Sequence, residues 1–173
     1  MRREVDASLR RLRTERIDLY QMHWPAPEPV DEYWQTLLDL KAQGKVRAVG
    51  LSNHDTKQLE MAEASGHVDA LQLPFSLINR DAADEIAWCD AHHTGVIVYS
   101  PVRSGLLTGA FTAERAAALP AGDWRSRDDG FSGARNPRQV DCWIGAPNVD
   151  LTPADITNIA AAVRRTGAGH GRI

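Results

Sequence analysis

Apolar side chains recur at helical spacing from the start of the chain. Val5, Leu9 and Leu12 stand among arginines over residues 3–13, which predicts a helix with one apolar face. Ile17 to Met22 (IDLYQM) then reads as a strand. Beyond the turn from Pro25 to Pro29, Asp31 is placed to cap a helix. Its inner face would be Tyr33, Trp34, Leu37, Leu38 and the stem of Lys41, and Gly44 would stop it. Val46 to Leu51 is the next strand. Asp55 caps a helix through Leu59 and Ala62 to Gly66, and Val68 to Leu73 is strand again. Asp81 opens a helix carrying Ala83, Ile86 and Ala87 toward Gly95. The apolar run Val96 to Tyr99 follows, and it suits a strand buried on both faces.

Strands that alternate with helices in this rhythm predict βαβ units and a parallel sheet, an α/β fold. Rhythm alone leaves open whether the sheet closes. From Arg103 to Asn148 the periodicity fades, apart from a short helical stretch near residues 112–118. Thr152 and Pro153 then cap a last helix bearing Ile156, Ile159, Ala160 and Val163, and the tail TGAGHGRI is expected to fray.

Composition narrows the function classes. With 173 residues, 43% hydrophobic and 25% charged, the chain is expected to fold as one domain around its own core. Twenty basic and twenty-three acidic side chains leave a net charge of −3, so neither nucleic acid nor an anionic membrane is an expected partner. No apolar run is long enough for a membrane span, and the arginine-rich N-terminus lacks a signal peptide's apolar core. Cys89 and Cys142 stand far apart, outside any paired-ligand spacing, which fits a reducing cytoplasm without disulfides. His92 and His93 beside Cys89 lack a second ligand cluster, so no metal is expected. GAGHG follows a helix rather than a strand, and SGLLTG lacks the lysine of a phosphate loop.

Polar residues gather at one edge of the expected sheet. His23, Ser52 with Asn53, Gln72, and Tyr99 with Ser100 each fall at a strand's C-terminal end, where parallel α/β folds bind ligands. The set suits recognition of a planar amide or ring, leaving the imidazole for a reacting carbonyl oxygen. By residue type alone, Ser52 and Asn53 equally suit a helix cap, Gln72 a strand-end residue and Tyr99 ordinary core.

The stretches SLRRLRTERIDLYQMHWP, GKVRAVGLSN, DALQLPFSLINR and VIVYSPVRSGLLTG resemble the aldo-keto reductase family in their order and spacing. The resemblance runs from about Ser8 to Gly109 and resumes at GARNPRQVDCWIGA. It implies part of a (β/α)8 TIM barrel, about four βα units with parallel strands, and NADP(H)-dependent reduction of a small aldehyde or ketone.

By that resemblance His23 is the catalytic histidine that polarises the carbonyl, and Trp24 borders substrate. Ser52, Asn53 and Gln72 would hold the nicotinamide carboxamide, and Tyr99 would stack on its ring. Ser100, Gly105 and Leu106, in the loop that also holds Ser104, would approach the pyrophosphate. Arg135 and Gln139 would grip the adenosine 2′-phosphate and adenine, where a guanidinium fork suits phosphate.

Barrels of this kind take about 250 residues. The resemblance therefore implies that the first strands are absent, with their aspartate, proton-donating tyrosine and lysine. The eighth strand would be missing between Phe131 and Arg135. Such a remnant is expected to be inactive by itself and to self-associate through open sheet edges. The alternatives are a nucleotide-binding module without turnover, as in reductase-like potassium-channel β subunits, and a structural half-barrel that oligomerises.

Overall fold

The computed structural model describes residues 1–108, 114, 118, 148–167 and 170–171. They form two compact units, residues 1–73 with 82–98, and residues 74–81 with 99–173.

The first unit begins with helix α1 (Arg2–Leu12), which buries Val5 completely but leaves Leu12 66% exposed. Ion pairs from Arg2 to Asp39 (2.7 Å) and from Lys45 to Asp6 (2.6 Å) join α1 to later segments. Both are exposed enough to contribute little. Strand β1 (Ile17–Met22) leads to helix α2 (Val30–Ala42), whose buried face is Val30, Tyr33, Trp34, Leu37 and Leu40. Leu40 takes the inner place expected of Leu38, and the Trp34 indole donates to the Gly66 carbonyl at 2.9 Å.

Strand β2 (Val46–Ser52), helix α3 (Thr56–Glu63) and strand β3 (Ala70–Pro74) continue the pattern. Asp55 caps α3 as expected, in a reciprocal box with Gln58 that satisfies two otherwise orphaned amides. The third strand starts two residues later than the apolar pattern suggests, because Asp69 is occupied otherwise. Its carboxylate takes Lys41 Nζ at 2.7 and 2.8 Å and the Val49 amide at 2.8 Å.

After the short strand β4 (Asn79–Arg80), helix α4 (Ala83–His92) and strand β5 (Gly95–Tyr99) complete the sheet, whose order is β1-β2-β3-β5. β1 pairs parallel with β2, and β2 parallel with β3. This parallel α/β partial sheet agrees with the expected class.

Three expectations are corrected. Asp31 and Asp81 do not cap: the N-caps of α2 and α4 are Pro29 and Ala82, with no side-chain hydrogen bond. Asp31 instead lies in the first turn of α2, where a carboxylate favours the helix dipole. β5 is not buried on both faces, since Val96, Ile97 and Val98 are 39%, 39% and 42% exposed. Among the described residues it is the outer strand of the sheet, with a single neighbour.

In the second unit a 3-10 helix (Arg103–Thr108) precedes helix α5 (Pro153–Thr166), which Thr152 caps in a box with Asp155. The tail is not wholly frayed. His170 and Gly171 form strand β6, which pairs parallel with β4. The expected break between Phe131 and Arg135 lies outside the described residues, as does most of the expected helix near 112–118.

Candidate functional site

Register decides which side chains share a face of the sheet. Leu19 lies opposite Ala48, Gln21 opposite Gly50, Gly50 opposite Ala70, and Ser52 opposite Gln72. Because strand side chains alternate, these residues line one face. Val49, Leu51 and Leu71, none of them exposed, line the other.

At the C-terminal end of the first face, four predicted site residues are tied together. The Asn53 Nδ2 group donates to the His23 carbonyl at 2.9 Å and to Ser52 Oγ at 3.1 Å. The Asn53 amide donates to the Gln72 carbonyl at 3.0 Å. Asn53 reaches both because its φ is 63°, a left-handed turn that asparagine tolerates better than most residues. Ser52 is buried, Gln72 half-buried and His23 exposed. The His23 ring has the half-exposed Trp24 indole beside it, with centroids 5.8 Å apart. Neither the His23 imidazole nor the Gln72 carboxamide makes a hydrogen bond among the described residues.

The remaining predicted residues belong to the second unit. Tyr99 ends β5 half-buried, which raises its hydroxyl pKa, and its carbonyl accepts from the Phe75 amide at 3.2 Å. Ser100 is buried with φ 56°, and its carbonyl accepts from the Arg103 amide at 3.1 Å. Gly105 has φ 94°, which a side chain would resist, and lies with Leu106 in the 3-10 helix. Arg135 and Gln139 lie outside the described residues.

Sequence reasoning missed two features here. His54 is 1% exposed, although its polar neighbours suggest a surface loop. Its Nε2 lies 2.7 Å from the Tyr33 hydroxyl and its Nδ1 2.9 Å from the Ser52 carbonyl. Burial lowers its pKa, against smaller opposing pulls from the hydrogen bond to the Ser52 carbonyl and then from the Asp55 charge. Gln21, two residues before His23, has a buried Nε2 without a partner among the described residues. Neither feature leaves a mark in hydrophobic periodicity.

An open groove of about 580 Å³ lies elsewhere, lined by Leu9, Arg10, Arg13 and Lys45. Its residues precede β1 and β2, so it sits at the strands' N-terminal ends. No group of three or more metal-ligating side chains occurs among the described residues, and no helix among them is long and apolar enough to cross a membrane.

The family model for the aldo/keto reductase family matches residues 1–142. The chain belongs to that family. Among curated relatives of this aldo/keto reductase family member, the aldo-keto reductase YhdN of Bacillus subtilis is 34% identical over 134 residues, 76% of this chain and 40% of its own length. The NADH-specific methylglyoxal reductase of Escherichia coli is 37% identical over 119 residues, 66% of this chain and 36% of its own. The chain thus spans 40% or less of the length of these two relatives.

Solved structures agree on the fold. A glycerol dehydrogenase from Gluconobacter oxydans matches with a TM-score of 0.86 at 27% identity, over 95% of this chain and 63% of that one. An aldo-keto reductase from Klebsiella pneumoniae, solved with NADPH, gives 0.74 at 26% identity, over 99% of this chain and 66% of that one.

Proposed function

We propose that the chain supplies the nicotinamide side of a carbonyl-reductase site, with His23 orienting a small aldehyde or ketone. The observation that carries this reading is the hydrogen-bonded set of His23, Ser52, Asn53 and Gln72 at one end of one sheet face. A nicotinamide carboxamide needs donors and acceptors in one plane, and the Gln72 carboxamide, which has no partner among the described residues, offers both. Ser52 and Asn53 are held beside it, and Tyr99 is assigned to the ring. Ser100, Gly105 and Leu106 are assigned to the pyrophosphate. Arg135 and Gln139 are assigned to the adenosine end, which would favour NADP(H) over NAD(H).

When bound, the cofactor would supply the hydride. The chain's own part is to donate a hydrogen bond from His23 to the carbonyl oxygen, where negative charge builds, while Trp24 borders the substrate. None of the chain's three tyrosines serves as the proton donor. Tyr20 lies within β1 in register with the buried Val49, Tyr33 is committed to His54, and Tyr99 is assigned to the ring. A positioned acid contributes about 10²- to 10⁴-fold. The 173-residue chain by itself therefore binds nucleotide and turns over far more slowly than a complete reductase.

Fluorescence titration with NADPH and NADH tests the binding, and NADPH consumption with a reactive aromatic aldehyde tests the turnover, with His23→Ala as control. Saturable binding, tighter for NADPH, without turnover is the expected result. Failure to bind either nucleotide rejects the site. Robust turnover lost in His23→Ala would show a working enzyme and overturn the account of the missing acid.

Among the described residues the strands β1 and β5 each have one neighbour, and we assign self-association to those edges. A strictly monomeric mass by light scattering at high concentration would refute this.

A further inference from the structure

The His54 imidazole connects a core helix to the backbone that carries Ser52 and Asn53. A trans peptide points its C=O and N–H in opposite directions. In the Ser52–Asn53 peptide both ends are occupied: the carbonyl faces His54 Nδ1 at 2.9 Å, and the amide donates to the Gln72 carbonyl at 3.0 Å. One bond runs toward α2 through the imidazole and the other toward β3. The tilt of this one peptide plane directs the two side chains it joins. We propose that His54, oriented by Tyr33, is a positioning residue that fixes the Ser52–Asn53 peptide and thereby sets the nicotinamide-carboxamide subsite. This rests on the reading of that subsite given above.

The chemistry settles the tautomer. A backbone carbonyl only accepts, so Nδ1 carries the proton. Nε2 of the neutral ring is then an acceptor, and the Tyr33 hydroxyl donates to it at 2.7 Å. Tyr33 stands on the buried face of α2 beside Trp34 and Leu37, so the hydroxyl is held by core packing rather than by a loop. The two rings meet edge-on, with centroids 5.8 Å apart at 64°. Burial favours the neutral ring that this arrangement requires. His54 is placed to touch neither substrate nor cofactor itself; it acts through Ser52 and Asn53.

The test combines a spectroscopic signature with a split in binding. Long-range ¹H–¹⁵N spectra of the 173-residue chain should show His54 protonated at Nδ1. The opposite tautomer, or a ring that exchanges between the two, would overturn the proposal.

In His54→Phe the Ser52 carbonyl loses its donor while the buried volume stays filled. Hydrogen exchange of the Asn53 amide should then accelerate about tenfold, with the Val49 amide unchanged. NADPH affinity should fall about tenfold while affinity for adenosine 2′,5′-bisphosphate, which lacks the nicotinamide, stays the same. Tyr33→Phe, which keeps the ring, should give the same pattern at smaller size and guards against misfolding of the first variant.

Equal loss for both nucleotides, or exchange that rises at Val49 as much as at Asn53, would make His54 merely structural. If the unmodified chain binds no nucleotide, the functional reading falls, whereas the tautomer and the exchange at Asn53 still decide whether His54 holds this peptide.

Discussion

Gly50 is the middle residue of a row that runs across three strands, Gln21, Gly50 and Ala70. A Cβ at this position would lie 2.6 Å from the backbone oxygen of Ala70, 3.1 Å from Gln21 Cγ and 3.2 Å from Gln21 Nε2. Close carbon–oxygen contacts in sheets fall at about 3.3 Å or more, so Gly50→Ala must part β2 from β3 by roughly 0.7 Å. The strands resist, because Asp69 N to Val49 O (3.1 Å) and Asn53 N to Gln72 O (3.0 Å) fasten them on either side.

Overpacking of this kind costs about 1–3 kcal/mol, and a backbone oxygen that cannot rotate away puts this case in the upper half. The restricted unfolded chain returns about 0.4–1 kcal/mol. The net loss is then about 2 kcal/mol, which at a urea slope of about 2 kcal/mol per molar lowers the midpoint by about 1 M. Gly95→Ala is the control, since its Cβ would meet the Asp69 oxygen at 3.3 Å, and it should leave the midpoint nearly unchanged. An unchanged or raised midpoint in Gly50→Ala would refute the reasoning. So would full rescue by Gln21→Ala in the same chain, since that would mean the side chain, not the Ala70 oxygen, is the obstacle.

Asp55→Ala removes the carboxylate that accepts from the Gln58 amide in the α3 capping box and should destabilise the chain by about 0.5–2 kcal/mol, read as a lower urea midpoint. Burial pushes the Cys89 thiol up to about 11, so in a Cys142→Ser background an aromatic disulfide reagent near neutral pH should react only as fast as the chain opens. His54 has its pKa lowered in the fold from 6.5, so its contribution to stability is full above 6.5 and is lost as pH falls below that value. The urea midpoint should therefore fall on acidification, and the profile of His54→Phe should be flatter over the same range.

The sequence by itself determined the local elements and the list of candidate residues. Val5 among arginines, the face of Tyr33, Trp34 and Leu37 and the Asp55 and Thr152 caps are short-range patterns, which the periodicity of a helix or the chemistry of its first turn writes directly into the chain. The parallel sheet followed from the alternation of strand and helix, and the C-terminal edge from where His23, Ser52, Asn53 and Gln72 fall within it. Arg135 and Gln139 rest on sequence alone.

Tertiary structure decided what depends on neighbours distant in sequence. β5 reads as buried because Val96, Ile97 and Val98 are apolar, yet burial is a property of what packs against a strand, and among the described residues β5 has one partner. Asp31 and Asp81 have a cap's chemistry, but the chain enters α2 two residues before Asp31 and α4 one residue after Asp81. His54 sits in a polar stretch whose sequence signals a surface turn. Only α2, arriving from twenty-one residues earlier, buries it and supplies the Tyr33 hydroxyl that makes its burial tolerable. Gln21, Gly50 and Ala70 look unrelated along the chain, and strand register alone sets them in one row, because alternation tells which residues share a face but not which neighbours they meet.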